Sequence, residues 1–77
     1  TNAKIKVKGH TDNRGSADFN MNLSNERAKA VMNYLVKRGV SPSKLSYQGY
    51  GMTLPLTENE TEEGRSLNRR VEFEIMK

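Results

Sequence analysis

The 77-residue chain contains no cysteine and a single histidine. Without thiols it can form neither a disulfide framework nor a thiolate zinc site, and cysteine usage says nothing of its redox compartment. One histidine is also too few for a metal centre. His10 and Asp12 form an HxD step, but no second imidazole exists to join them, so no metal and no cofactor is expected, and His10 is read as a hydrogen-bonded structural residue. That histidine beside Thr11 is thin material for a nucleophile and its base. Gly9, Gly15 and Gly39 do not belong to a phosphate loop ending in Lys-Ser/Thr. Tyr47 and Tyr50 flank Gly49 and are too few for a base-stacking platform, so no nucleic-acid partner is expected. No apolar run approaches the roughly 20 residues that span a bilayer, and the first residues lack the apolar core of a signal peptide.

What the chain does have is charge, unevenly placed. Residues 1–50 hold nine Lys/Arg against three Asp/Glu, and residues 51–77 hold four against six. A basic excess of this kind favours anionic polymers or lipid, and its plain alternative is a solvated lysine face. At this length the chain is one domain at most and buries only roughly 60% of its unfolded surface, so modest stability is expected.

Ala3-Lys4-Ile5-Lys6-Val7-Lys8 alternates apolar and basic residues, the period of a strand with one buried face. Val71-Glu72-Phe73-Glu74-Ile75 does the same with glutamates. If the two are neighbours, opposite charges stand side by side on the outer face. Lys44 to Tyr50 is a weaker third strand, interrupted by Gly49. Between the first two strands, Leu23, Ala28, Val31, Met32, Leu35 and Val36 recur at helical steps. Ser24 as N-cap, Glu26 near the start, Lys37 and Arg38 near the end and Gly39 at C′ predict a helix from about Asn25 to Arg38. The predicted body is a two-layer α/β sandwich: a βαβ unit with right-handed crossover plus a further C-terminal strand. Two long connections remain, Gly9 to Leu23 and Gly51 to Asn68, and the second reads as a mobile acidic segment.

The first connection concentrates polar chemistry in GHTDNRGSADFNMNLSNERA, residues 9–28. Asp12 follows a strand, and Arg27 falls in the first turn of the predicted helix, so both side chains reach the crevice beyond the strand ends. The guanidinium fork and the helix-start amides suit a carboxylate, and Asp12 suits an ammonium. Together they suit a zwitterion. The bland alternative is that Asp12 and Arg27 pair with each other in an exposed ion pair worth about 0–1 kcal/mol.

The residues also resemble a known family. Gly9-His10-Thr11-Asp12, Gly15, Asn20, Leu23-Ser24, Arg27-Ala28, Val31, Tyr34-Leu35, Gly39, Gly49-Tyr50-Gly51, Pro55, Asn59 and Asn68-Arg69-Arg70-Val71 are similar, in order, to the OmpA-like C-terminal domain. The resemblance implies a non-catalytic module that binds peptidoglycan in the periplasm, with the diaminopimelate of the stem peptide as ligand and a parent protein associated with the outer membrane. By motif position, Asp12 and Arg27 would grip that ligand, and Thr11, Asn20, Leu23 and Ser24 would shape the pocket. Arg69 and Arg70 would chiefly buttress loops. The family domain usually opens with a further strand and helix before the GHTD strand, so residues 1–77 are expected to be a partial domain. An uncovered sheet edge would then invite pairing into a homodimer. Two rival readings accompany this one: an oligomerising structural remnant, and a polyanion binder using Lys4, Lys6 and Lys8.

Overall fold

Alternation in the first residues produces the central strand. The computed structural model describes residues 3–76, and in it β1 (Lys4–His10) runs two residues further than the lysine pattern. β1 is flanked by β2 (Leu45–Gly49) and β3 (Arg70–Met76), giving the order β2-β1-β3. β2 pairs parallel to β1, from Ile5 opposite Leu45 to Gly9 opposite Gly49. β3 pairs antiparallel, from Lys4 opposite Met76 to His10 opposite Arg70. Lys6 therefore faces Glu74 and Lys8 faces Glu72 across the ladder, and the Lys8 ammonium stands 3.7 Å from Glu74. The outer face is the charge-paired one that alternation predicted.

The helix between β1 and β2 starts earlier than its apolar periodicity implies. α1 spans Ala17–Lys37, and its N-cap is Ser16, not Ser24: the Ser16 hydroxyl accepts from the Phe19 amide at 3.0 Å. Ser24 is an interior residue whose hydroxyl donates to the Met21 carbonyl and accepts from the Gly51 amide. The first turns bury a stripe of Asn20, Ser24 and Ala28, small or polar side chains four residues apart. Such a stripe lets the helix backbone approach the sheet closely. A Cβ on Gly9 would lie 2.3 Å from the Ser24 carbonyl oxygen, and one on Gly49 would lie 2.4 Å from the Asn25 amide. The Asn25 side chain accepts the Gly49 amide at 2.6 Å across the same contact.

The far end of α1 is as expected. Gly39, at φ 105°, follows the Arg38 cap, its amide bonds the Val36 carbonyl and the Val40 amide bonds that of Leu35, a Schellman closure. A 3₁₀ turn at Pro42–Lys44 leads into β2.

The connection after β2, expected as a mobile segment, carries the short helix α2 (Glu62–Asn68), capped by Thr61. Asn68, fully buried, accepts from the Leu56 and Thr57 amides and donates to the Thr57 carbonyl and the Asn59 side chain. Every polar atom of that amide is used, which fixes residues 56–59 against the end of α2.

Among the described residues only Val7 and Ala28 are fully buried hydrophobics. α1 packs on β2 and β1, while Phe73 and Ile75 on β3 are 54% and 57% exposed. The outer edge of β3 has no strand partner among the described residues. No helix among them is long and apolar enough to cross a membrane.

Candidate functional site

β1 ends in a turn that the sheet itself holds. The Thr11 amide donates to the Gly51 carbonyl at 2.9 Å, and the Thr11 hydroxyl donates to the Asp12 carbonyl. Asp12 then closes an Asx turn, its Oδ1 accepting the Arg14 amide at 3.0 Å. Its Oδ2 accepts from Arg14 Nε at 3.3 Å and from Arg69 Nη1 at 2.7 Å. Arg69 reaches on to Glu62 through Nη2 at 2.6 Å. Burial pushes the Asp12 carboxyl up; the Arg14 amide, the Arg69 guanidinium and the two positive charges outweigh it and hold the group below its ordinary value.

Helix α1 supplies the opposite wall. Phe19, Leu23 and Arg27 stand four residues apart, on one face beside the buried stripe, and with Thr11 and Asp12 they line a cavity of about 430 Å³. Arg14, Gly15 and Arg69 complete the lining. Gly15, at φ 90°, turns the chain beneath the Phe19 ring.

Of the six residues picked out by motif, the cavity gathers Thr11, Asp12, Leu23 and Arg27. Asn20 and Ser24 lie behind it, almost wholly buried. Asn20 donates to the Arg14 carbonyl at 2.9 Å and so pins the turn to the helix, while Ser24 holds the Gly51 amide. Arg27 is not in the first helical turn. It lies ten residues beyond Ala17, roughly 15 Å along the axis, so the helix-start amides cannot share a carboxylate with it. Nor does it pair with Asp12. Arg27 is exposed and has no hydrogen bond or ion pair among the described residues, whereas Asp12 is taken by Arg14 and Arg69.

Two lining residues, Arg14 and Phe19, lie in the stretch between β1 and the predicted helix and carry no motif position. Arg69, expected to buttress loops, lines the cavity while bonding Asp12 and Glu62. The burial of Asp12 explains the two arginines, since a carboxylate only 5% exposed requires cationic partners.

His10, expected to be hydrogen-bonded, is buried without such a bond: neither ring nitrogen has a hydrogen-bond partner among the described residues. Glu72 is engaged by Arg70 Nε at 2.5 Å, which leaves its other oxygen 3.7 Å from His10 Nε2. The imidazole instead stacks on Tyr50, with centroids 5.4 Å apart. Among the described residues no three His, Cys, Asp or Glu side chains converge to hold a metal ion.

The OmpA family model matches residues 1–69. The chain belongs to the OmpA family. It is 46% identical over 71 residues to outer membrane porin F of Pseudomonas fluorescens, covering 92% of this chain and 22% of the relative. To peptidoglycan-binding protein ArfA of Mycobacterium tuberculosis it is 45% identical over 73 residues, covering 95% and 22%. Among solved structures it superposes on the C-terminal domain of Helicobacter pylori MotB with a TM-score of 0.92 at 36% identity, covering 97% of this chain and 58% of that one. This OmpA-family chain thus spans about a fifth of the length of these two curated relatives.

Proposed function

We propose that the chain binds peptidoglycan non-covalently through the diaminopimelate of the stem peptide, and so anchors an envelope protein to the cell wall from the periplasm. The observation that supports this reading is that one cavity is lined by a guanidinium without a partner among the described residues, Arg27, and by a buried carboxylate, Asp12. Arg27 takes a ligand carboxylate in its planar fork. Asp12 takes the ammonium: a carboxylate offers about four acceptor positions, and three hydrogen bonds occupy it here. Leu23 and Thr11 bound the space between, and Asn20 and Ser24 position the walls. The ArfA relative, named as peptidoglycan-binding, supports the polymer; the porin F relative supports a parent protein at the outer membrane.

The test is titration of the 77-residue chain with meso-diaminopimelate, followed at the amides of residues 11–27, beside retention by purified sacculi. Saturable shifts confined to that stretch, lost in Arg27→Ala with the fold intact by circular dichroism, are expected. Unchanged retention of Arg27→Ala overturns the assignment. A polyanion binder using Lys4, Lys6 and Lys8 would instead lose affinity steeply with salt, and Lys6→Ala would weaken it. The outer edge of β3, without a strand partner among the described residues and with Phe73 and Ile75 exposed beside it, supports a second reading as a self-pairing surface; sedimentation that is monomeric at every concentration excludes it.

A further inference from the structure

The buried histidine is not used by the proposed ligand site, yet it sits at the corner that carries it. His10 is 1% exposed, and the backbone on either side of it is tied to the end of β2: the Gly9 carbonyl accepts the Tyr50 amide and the Thr11 amide donates to the Gly51 carbonyl, both at 2.9 Å. Between these two bonds the imidazole lies on the Tyr50 ring, nearly parallel at 12°. Burying two ring nitrogens with no hydrogen bond is costly, and costlier for a charged ring than for a neutral one.

The charges around it are unbalanced. Among the described residues Glu72 on β3 is the one carboxylate facing it, and it is held by Arg70, which lies two residues before it on β3 and opposite His10 in the ladder. Lys8 of β1 adds a second positive charge on the same face. A protonated ring would gain a cation–π contact with Tyr50, but the ammonium groups of Lys6 and Lys8 already stand 5.5 Å from that ring.

We propose that His10 is an acid-sensitive latch: its neutral ring locks the Tyr50–Gly51 corner onto β1, and protonation expels the ring from the stack and loosens the turn bearing Thr11 and Asp12. Desolvation, with repulsion from Arg70 and Lys8 outweighing the pull of Glu72, holds the imidazole below its ordinary 6.5. The unfolded chain then binds the proton more tightly than the folded one. Stability is therefore full above pH 6.5 and falls as pH drops from there toward the folded value.

A chain with one histidine makes the test clean. The ring protons are followed by NMR from pH 8 to 5, with urea midpoints of the parent and His10→Phe at pH 7.5 and 5.5. The latch requires a ring midpoint below 6.5, a parent midpoint that falls between the two pH values, a level His10→Phe, and amides of Thr11, Asp12, Tyr50 and Gly51 that shift with the ring. A ring titrating at or above 6.5, or His10→Phe losing as much as the parent, overturns it. Should His10→Phe not fold, Glu72→Gln serves: removing the one attractive charge must lower the ring midpoint further, and an unmoved or raised midpoint overturns the latch.

Discussion

Arg69 Nη1 meets Asp12 Oδ2 at 2.7 Å, joining residues 57 positions apart in sequence, and the same guanidinium holds Glu62 at the start of α2. One side chain therefore couples the turn after β1 to the segment after β2. Replacing Arg69 with Ala removes the shorter of the two arginine contacts to a buried carboxylate. The Asp12 carboxyl should then titrate nearer its ordinary value, visible in its side-chain carbon shift, and α2 should lose protection from hydrogen exchange. An unmoved Asp12 titration in Arg69→Ala would show that Arg14 alone holds the charge.

Acid should unfold the chain through the same carboxylates. Asp12, Glu62 and Glu72 all sit below their ordinary values: Asp12 because the Arg14 amide and Arg69 overcome its burial, Glu62 because of its bond from Arg69, and Glu72 because of its bond from Arg70. A depressed folded value means that the unfolded chain takes up protons first as pH falls. The contribution of these groups is present above their ordinary values and is lost as pH drops through the folded ones. Urea midpoints should fall steeply below about pH 4, and Asp12→Asn should flatten part of that fall. Loss complete by pH 5 would assign acid sensitivity elsewhere.

Reading the sequence recovered the strands because alternation of Lys4, Ile5, Lys6, Val7 and Lys8 is a strong period-two signal, and the glutamate alternation around Phe73 is its complement. The start of α1 escaped because the buried positions of its first turns are the polar Asn20 and Ser24, and apolar periodicity cannot see a stripe that begins with polar residues. Eight misplaced residues, 17–24, turned an interior serine into a cap and moved Arg27 to a helix start where it does not lie. Asp12 and Arg27 were still legible as opposed charges near one crevice. Their independence was not, because it depends on Arg69, brought in from the far end of the chain.

The glycine contacts separate packing from backbone strain. A methyl at Gly9 would meet the Ser24 carbonyl oxygen at 2.3 Å, and that backbone cannot rotate aside, so α1 must move off the sheet. Gly9→Ala should cost about 1–3 kcal/mol or more in urea denaturation and should weaken binding, because Leu23 and Arg27 ride on α1 away from Asp12. Gly39 has open space around it and only a positive φ, 105°, to lose. Gly39→Ala should cost about 1–2 kcal/mol with binding unchanged. Equal binding losses in the two variants would place the cavity's geometry outside the control of the helix–sheet contact.

The four hydrogen bonds of Asn68 replace secondary structure for residues 56–59. Asn68→Ala leaves the Leu56 and Thr57 amides and the Thr57 carbonyl without this partner, and an orphaned buried group costs about 1–3 kcal/mol. Asn68→Asp keeps both acceptor positions and loses the donors, setting a negative oxygen against the Thr57 carbonyl and Asn59 Oδ1. Hydrogen exchange should therefore speed at Leu56 and Thr57 in the alanine variant and remain slow in the aspartate variant, although both are less stable than the parent. Arg70 bonds the Asn68 and Leu54 carbonyls, so if exchange at Leu56 and Thr57 stays slow in Asn68→Ala, Arg70 rather than Asn68 fixes that connection against the sheet.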